Sequence, residues 1–444
     1  MSYDPIPLKD GLILRAAAAA DIEAIAEFNA NLHADDSDGP NEGNMLRQWT
    51  RDIAAPNHPS AGDPALYTIV IDPAKGDQIV STMCLIPQTW QYEGVPFRVG
   101  RPELVGTLES YRKRSLVRAQ FEWHHRWCDE HDILVQGITG IPYFYRRFGY
   151  EYALNLDSSL KAYQHQLPLK LKEGQQEPCT FRDATLADIP FLMACDRAYT
   201  QRNLISVQRD AEHWAYEIEG MHPTNIYHRQ AVIISDRTGK AVGFYLHPSG
   251  LYMGHFSISR LEWLPGTPDA AAIVPAVLRN AWQRGKAMEE SGDGDELNAI
   301  RLGLGENHPA HPLLKHWFPG EYRPYAWYLR VSDLPRFIQI IAPALENRLE
   351  GSLFHGYTGD LNLNFYTDGL KIRFDDGKIV SAEAWRDSKD DKDSARFPNL
   401  TFLQLLFGFR SMKEIHHIYP DCYARDARQA ELLGVLFPKM KNEE

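Results

Sequence analysis

Three consecutive cations, Arg112, Lys113 and Arg114, stand directly before a segment of helical periodicity that starts at about Ser115. A helix N-terminus offers free backbone N–H groups and the positive end of its dipole. With three side-chain charges beside it, such a turn can hold a pyrophosphate. The chain carries a formal net charge of -12, so this is a local inversion of sign. Further on, Phe144-Tyr145-Arg146-Arg147-Phe148-Gly149-Tyr150 gathers aromatic rings, two arginines and a glycine. A basic turn alone is more often a solvated loop than a site. Its position at a helix start, in a chain of opposite net charge, makes the pyrophosphate reading worth pursuing.

The elements that must position these residues follow from periodicity. β-type runs are expected over residues 66–71, 78–85, from 97 onward, over 102–108 and over 133–138, with a helix over about 115–131. Leu116, Ala119, Trp123 and Trp127 are its inward candidates. Arg15 to Ile22 resembles Arg182 to Ile189, and each copy follows a short β-type run and precedes a helical pattern. Ile22, Ile25, Phe28 and Leu32 share one face in the first copy. Asp21 and Asp188 suit a helix start. The repeat suggests a duplicated α/β unit, with a polar linker near residues 161–176. The last segment changes character. Strands over 361–366, 370–374 and 379–385 are joined by Asp368-Gly369 and Asp376-Gly377 turns, and helices over 400–416 and 426–437 complete a small α+β domain.

Length and composition agree with this division. At roughly 150 residues per domain, 444 residues suggest about three domains. A hydrophobic fraction of 44% and a charged fraction of 24% are ordinary for a globular chain. The negative charge argues against a general nucleic-acid or anionic-membrane binder and favours cationic ligands. The five cysteines form no CxxC pair and are expected as reduced thiols of a cytoplasmic protein. Neither a signal peptide nor a membrane span is visible. His308, His311 and His316 lack carboxylate or cysteine partners at ligand spacing and are expected in a surface loop, so no metal is expected. The adjacent pairs His124-His125 and His416-His417 do not make a chelating spacing.

Residues 111–119 resemble the acyl-CoA-binding motif Arg-x-x-Gly-x-Gly/Ala of GNAT acetyltransferases, and residues 144–150 resemble the GNAT segment that closes the site. The whole organisation is similar to the enhanced intracellular survival (Eis) acetyltransferases. The resemblance implies an α+β fold: two tandem GNAT folds, each a mixed β-sheet flanked by helices, then a sterol-carrier-protein-like α+β domain. Residues 401–410 fit that last domain. The implied boundaries are 1–160 for a catalytic N-terminal GNAT domain, 175–330 for a degenerate second one and 331–444 for the C-terminal domain. A homo-oligomer, a hexamer in that family, is also implied.

The resemblance assigns Arg112, Lys113, Arg114, Ser115, Leu116, Val117 and Arg118 to the acetyl-CoA pyrophosphate, with Gly140 and Ile141 also on the cofactor. Backbone groups of Val105, Gly106 and Thr107 would line the pantetheine arm and polarise the thioester carbonyl. Ser115 and Val117 replace the motif's Gly and Gly/Ala. The implied reaction is acetyl transfer from acetyl-CoA, a co-substrate, to the primary amine of a cationic small molecule or a lysine. An alkylamine is only about one part in a thousand neutral at pH 7, so a proton acceptor is needed, as is a donor for the departing thiolate. Tyr145 matches the family's proton-donating Tyr. The base is either the terminal α-carboxylate, here Glu444, or Glu103, which stands two residues before Val105 and is expected on the same strand face. In the second unit Asp269 lies near a helix start and would repel a pyrophosphate, so that unit is expected to be non-catalytic. The alternative is a hydrophobic-ligand or lipid-binding protein on a non-catalytic GNAT scaffold.

Overall fold

The computed structural model describes residues 4–34, 41–156, 159–292, 295–305, 308–322, 325–386 and 393–440. The first unit runs β1 (Ile6–Pro7), β2 (Ile13–Ala16), α1 (Ile22–His33), α2 (Glu42–Ala54), β3 (Tyr67–Asp72), β4 (Gln78–Tyr92), β5 (Val95–Thr107), α3 (Leu116–Glu130), β6 (Val135–Ile138) and β7 (Glu151–Leu156). Strands β1 to β5 are antiparallel in chain order, and β6 joins β5 in parallel. Every residue of β3 is buried, because both faces of the sheet are covered. Ile69 and Ile71 pack with Ile25, Leu46 and Ile53 of α1 and α2. Val70, one residue out of phase, packs with Leu116 and Trp123 of α3 on the opposite face.

The repeat in the sequence is a repeat in structure. Arg15 makes two hydrogen bonds to Asp21, at 2.7 and 2.8 Å, and Arg182 makes two to Asp188, both at 2.7 Å. Each Asp also accepts the N–H three residues before it, from Ala18 and from Thr185. Each copy therefore clamps a strand to the helix that follows. The second copy opens a four-stranded antiparallel sheet of Cys179–Asp183, Arg229–Asp236, Ala241–Pro248 and Arg260–Trp263. Helix Ile189–Thr200 packs with one of its faces and helix Ala270–Ser291 with the other.

Several expectations are corrected. Residues 97 onward and 102–108 form one strand, β5. Residues 161–163, expected in a linker, belong to the strand Ser159–Tyr163, which pairs with Ala299–Leu302 and Gly320–Tyr322. The strand Tyr325–Val331, expected to end the second unit, lies instead between β6 and β7 of the first sheet, antiparallel to both. The helix expected over 400–416 is two, Phe402–Leu406 and Met412–Ile418, interrupted where Gly408 takes φ 68°.

The last segment forms a four-stranded sheet of Lys378–Ala384, Gly369–Asp375, Gly359–Asn364 and Ala395–Arg396. Helix Leu334–Glu350 connects it to the first sheet. Phe337 and Ile341 of that helix share one core with Trp90, Tyr92 and Phe97 of β4 and β5 and with Leu370, Phe402 and Leu405.

Candidate active site

The site starts from an irregularity in β5. Thr82 of β4 is opposite Gly106 and Cys84 is opposite Glu103, so Leu104 and Val105 together face the single residue Met83. Leu104 takes φ 51° at this bulge. One extra residue reverses the alternation beyond it. Leu104 joins the α1/α2 side with Cys84, whereas Val105 joins the α3 side with Met83 and Tyr145. The expectation that Glu103 and Val105 share a face is therefore corrected. Glu103 stands opposite Cys84 and faces the α1/α2 side.

Pairing of β5 with β6 covers only Val99 with Val135 and Gly100 with Gln136. Past Gly100 that edge of β5 has no strand beside it among the described residues. The bulge and the open edge coincide at residues 103–107, so no strand pairs with Val105, Gly106 and Thr107 on that side among the described residues. Gly106 fits closely there. A Cβ would stand 2.3 Å from Leu32 Cδ2, because α1 lies directly on the strand.

The chain leaves β5 through a short helical turn, Glu109–Tyr111, whose Tyr111 is buried and donates a hydrogen bond to Asp72 at 2.6 Å. Arg112, Lys113, Arg114 and Ser115 follow, all exposed. Lys113 and Ser115 take φ 65° and 63°, left-handed values that glycine adopts more readily than either residue. This conformation turns the chain sharply into α3, where Leu116 is buried and the first N–H groups of the helix are unpaired within it. Arg114 lies over the Tyr111 ring at 4.8 Å and pairs loosely with Asp10 at 3.4 Å. Arg118 lies over the Phe148 ring at 5.1 Å. In the second unit Asp269 takes φ 52° immediately before its helix, the place that Ser115 holds before α3.

Tyr145 is buried among Phe121, Tyr150 and Tyr328, with Val105 and Val117 beside it. Its hydroxyl makes no hydrogen bond among the described residues and lies 3.4 Å from where a Cβ on Gly140 would stand. Burial raises its pKa above the ordinary phenol value, and the negative charge of Glu103 raises it further. The phenol is thus held protonated. The structure brings Tyr145, Gly140, Val105, Val117 and Glu103 together, with Ile141 exposed next to Gly140. The Glu103 carboxylate is ion-paired with Arg101 at 2.5 Å, and that guanidinium lies over the Trp327 ring at 4.8 Å. Glu444 lies outside the described residues.

Sequence reasoning missed four residues of this region. Tyr152, Tyr325 and Tyr328 bring their hydroxyls together, Tyr152 with Tyr328 at 2.6 Å and with Tyr325 at 3.2 Å. The Tyr143 N–H donates to Tyr152 and to Tyr328, which fixes the loop carrying Tyr145. The aromatic run at residues 325–328 was the available signal, but it is remote in sequence. The fourth is His33 at the end of α1. Its Nε2 is buried, has no hydrogen-bond partner among the described residues and lies 3.1 Å from where a Gly106 Cβ would stand. Burial lowers its pKa, so the imidazole is neutral. The expected surface position of His308 is also corrected. That ring is buried, with its Nε2 2.6 Å from the Leu261 carbonyl. Among the described residues no three His, Cys, Asp or Glu side chains group as metal ligands, and no helix is long and apolar enough to cross a membrane.

Residues 39–153 match the family of acetyltransferase (GNAT) domains. No curated protein sequence matches the chain. Among solved structures the fold is similar to a probable N-acyltransferase from Enterococcus faecalis, with TM-score 0.64, 13% identity and coverage of 98% of this chain and 99% of that one. It is similar to a GCN5-related N-acetyltransferase from Anabaena variabilis, with TM-score 0.64, 12% identity and coverage of 97% and 98%. It is also similar to Eis1 from Mycobacterium abscessus, with TM-score 0.56, 13% identity and coverage of 98% of both chains. At such identities the likeness establishes the fold and not the substrate. Residues 39–153 are thus similar in sequence to GNAT acetyltransferase domains, and the fold around them is similar to that of N-acyltransferase structures along nearly the whole chain.

Proposed function

We propose that this protein is an N-acetyltransferase that moves the acetyl group of acetyl-CoA to a primary amine of a cationic small molecule or a lysine. The observation that carries the reading is the bulge at Leu104 on the open edge of β5. It sets Glu103 and the Tyr145 hydroxyl toward opposite sides of one stretch of backbone. A thioester lying along that edge has a proton acceptor on one side and a proton donor on the other. The amine nitrogen attacks the carbonyl carbon as its proton passes to Glu103. The C–N bond forms, the C–S bond breaks, and the Tyr145 proton passes to sulfur. The N–H groups of Val105 and its neighbours stabilise the developing oxyanion.

The pyrophosphate rests on the turn from Arg112 to Ser115 and on the first N–H groups of α3, at Leu116, Val117 and Arg118. The second unit, with Asp269 in the corresponding place, binds no cofactor. The overall negative charge favours a cationic acceptor. The test is release of CoA thiol from acetyl-CoA in the presence of polyamines, aminoglycosides and lysine peptides, together with calorimetric titration of acetyl-CoA. One site per chain and amine-dependent thiol release are expected. Two equivalent sites, or no release with any amine, would overturn the reading. Replacing Arg112 and Arg114 with Glu is expected to weaken acetyl-CoA binding by tenfold or more, roughly two charge-assisted contacts.

A further inference from the structure

A second group of chemically competent side chains lies outside this site. The Ser60 hydroxyl is 2.8 Å from Nε2 of His213, and Nδ1 of the same ring is 2.7 Å from Oδ1 of Asp210. Ser60 sits on the loop between α2 and β3. His213 and Asp210 belong to the second unit, where Asp210 caps the short helix Ala211–Ala215 and also accepts the His213 N–H at 3.0 Å. With its Nδ1 proton directed at Asp210, His213 presents the Nε2 lone pair to Ser60. Nucleophile, base and orienting carboxylate are thus linked through the nitrogens that this chemistry requires.

The surroundings supply the remaining part. The N–H groups of Ser60 and Ala61 converge on one acceptor, Nδ1 of His58, at 3.1 and 3.0 Å. Two backbone donors aimed at one point are the arrangement that stabilises an oxyanion. His58 is neutral, its pKa lowered to about 4 chiefly by burial, so the donors now hold an uncharged lone pair. A developing oxyanion is the stronger acceptor and displaces it. Ser60 and His213 are half-buried, so solvent reaches them, and the His58 and Tyr216 rings pack against each other beside them with centroids 5.1 Å apart.

We propose that Ser60, His213 and Asp210 form a second acyl-handling site that hydrolyses small carboxylic esters without CoA. Ser60 Oγ attacks the ester carbonyl as its proton passes to His213 Nε2. The C–O bond to the alcohol breaks, and the alcohol leaves with that proton. Water, deprotonated by His213, then releases the acid and restores the Ser60 hydroxyl. The test uses the full chain with 4-nitrophenyl acetate and no CoA, and in parallel a fluorophosphonate probe whose attachment point is mapped by peptide mass spectrometry. The probe is expected on Ser60 of the wild-type protein. Ser60→Ala and His213→Gln are expected to lower ester hydrolysis by about 100-fold or more while thermal melting stays cooperative. Amine acetylation by Ser60→Ala is expected to be unchanged, which separates this site from the first. A folded wild-type protein whose Ser60 stays unlabelled would overturn the proposal. So would full ester hydrolysis by Ser60→Ala.

Discussion

Ser115 occupies, at φ 63°, a conformation that a side chain resists by roughly 1 kcal/mol and that glycine takes freely. Ser115→Gly is therefore expected to raise stability by about 0.5–1 kcal/mol with acetyl-CoA affinity kept, and Ser115→Val to lower it. Denaturant midpoints of the two variants check this, and a destabilised Gly variant would show that the hydroxyl has a role the turn geometry does not express. Tyr145→Phe keeps the ring among Phe121, Tyr150 and Tyr328 and removes only the proton donor. Turnover is expected to fall by about two to four orders of magnitude with acetyl-CoA affinity nearly unchanged. Wild-type turnover, with chemistry shown to be rate-limiting, would make Tyr145 a packing residue only. At this scale Tyr145 and the basic turn were legible because their residue types are unusual in their setting: a dense aromatic cluster, and three cations in an acidic chain. His33 and the tyrosines at 152, 325 and 328 were not. Their role comes from contacts closed by the fold, and a lone histidine at a helix end carries no spacing signal.

Among the elements, β5 shows where sequence periodicity fails. The alternation rule places Glu103 with Val105, yet the two part because a bulge inserts one residue, and Leu104 carries no Gly, Asn or Asp to announce a positive φ. The strand–turn–helix repeat was legible for the opposite reason. Its Arg and Asp six residues apart clamp each copy locally, so the constraint lies within a few residues of chain. That clamp has a pH signature. The Asp188 carboxyl is held down at about 2, chiefly by its hydrogen bonds from Arg182, against an ordinary value near 3.9. A lowered folded-state pKa gives stability that is present above the unfolded value and is lost as pH falls through the folded one. Arg182 is half exposed, which discounts the pair to about 1 kcal/mol. Asp188→Asn should cost that much at pH 7. The gap to wild type should close between pH 4 and pH 2 in urea titrations, and a gap that persists at pH 2 would mean that the ion pair is not its source.

The whole molecule is not a string of independent units. The domain boundaries that the resemblance implies fall near residues 160 and 331, but the first sheet is completed by Tyr325–Val331, which runs between β6 and β7. Such a long-range insertion leaves no local mark, and a strand looks the same whichever sheet receives it. Two further ties cross the same boundaries. The strand Ile205–Val207 pairs with the end of β4, and the Tyr92 hydroxyl donates to the Leu406 carbonyl at 2.8 Å within the core shared with the last segment. Residues 1–160 expressed alone would expose the facing edges of β6 and β7 and the apolar surface of Trp90, Tyr92, Phe97 and Val99. They would also lose the Tyr328 hydroxyl that holds Tyr143 and, through the loop, Tyr145. Two unpaired edges and an uncovered core face favour aggregation over folding. That fragment is expected to show no cooperative melt and no acetyl-CoA binding, whereas the full chain should melt in one transition. Circular dichroism and calorimetry of both decide the matter. A fragment that melts cooperatively and binds acetyl-CoA as the full chain does would show that the inserted strand is dispensable and that the site belongs to the first unit alone.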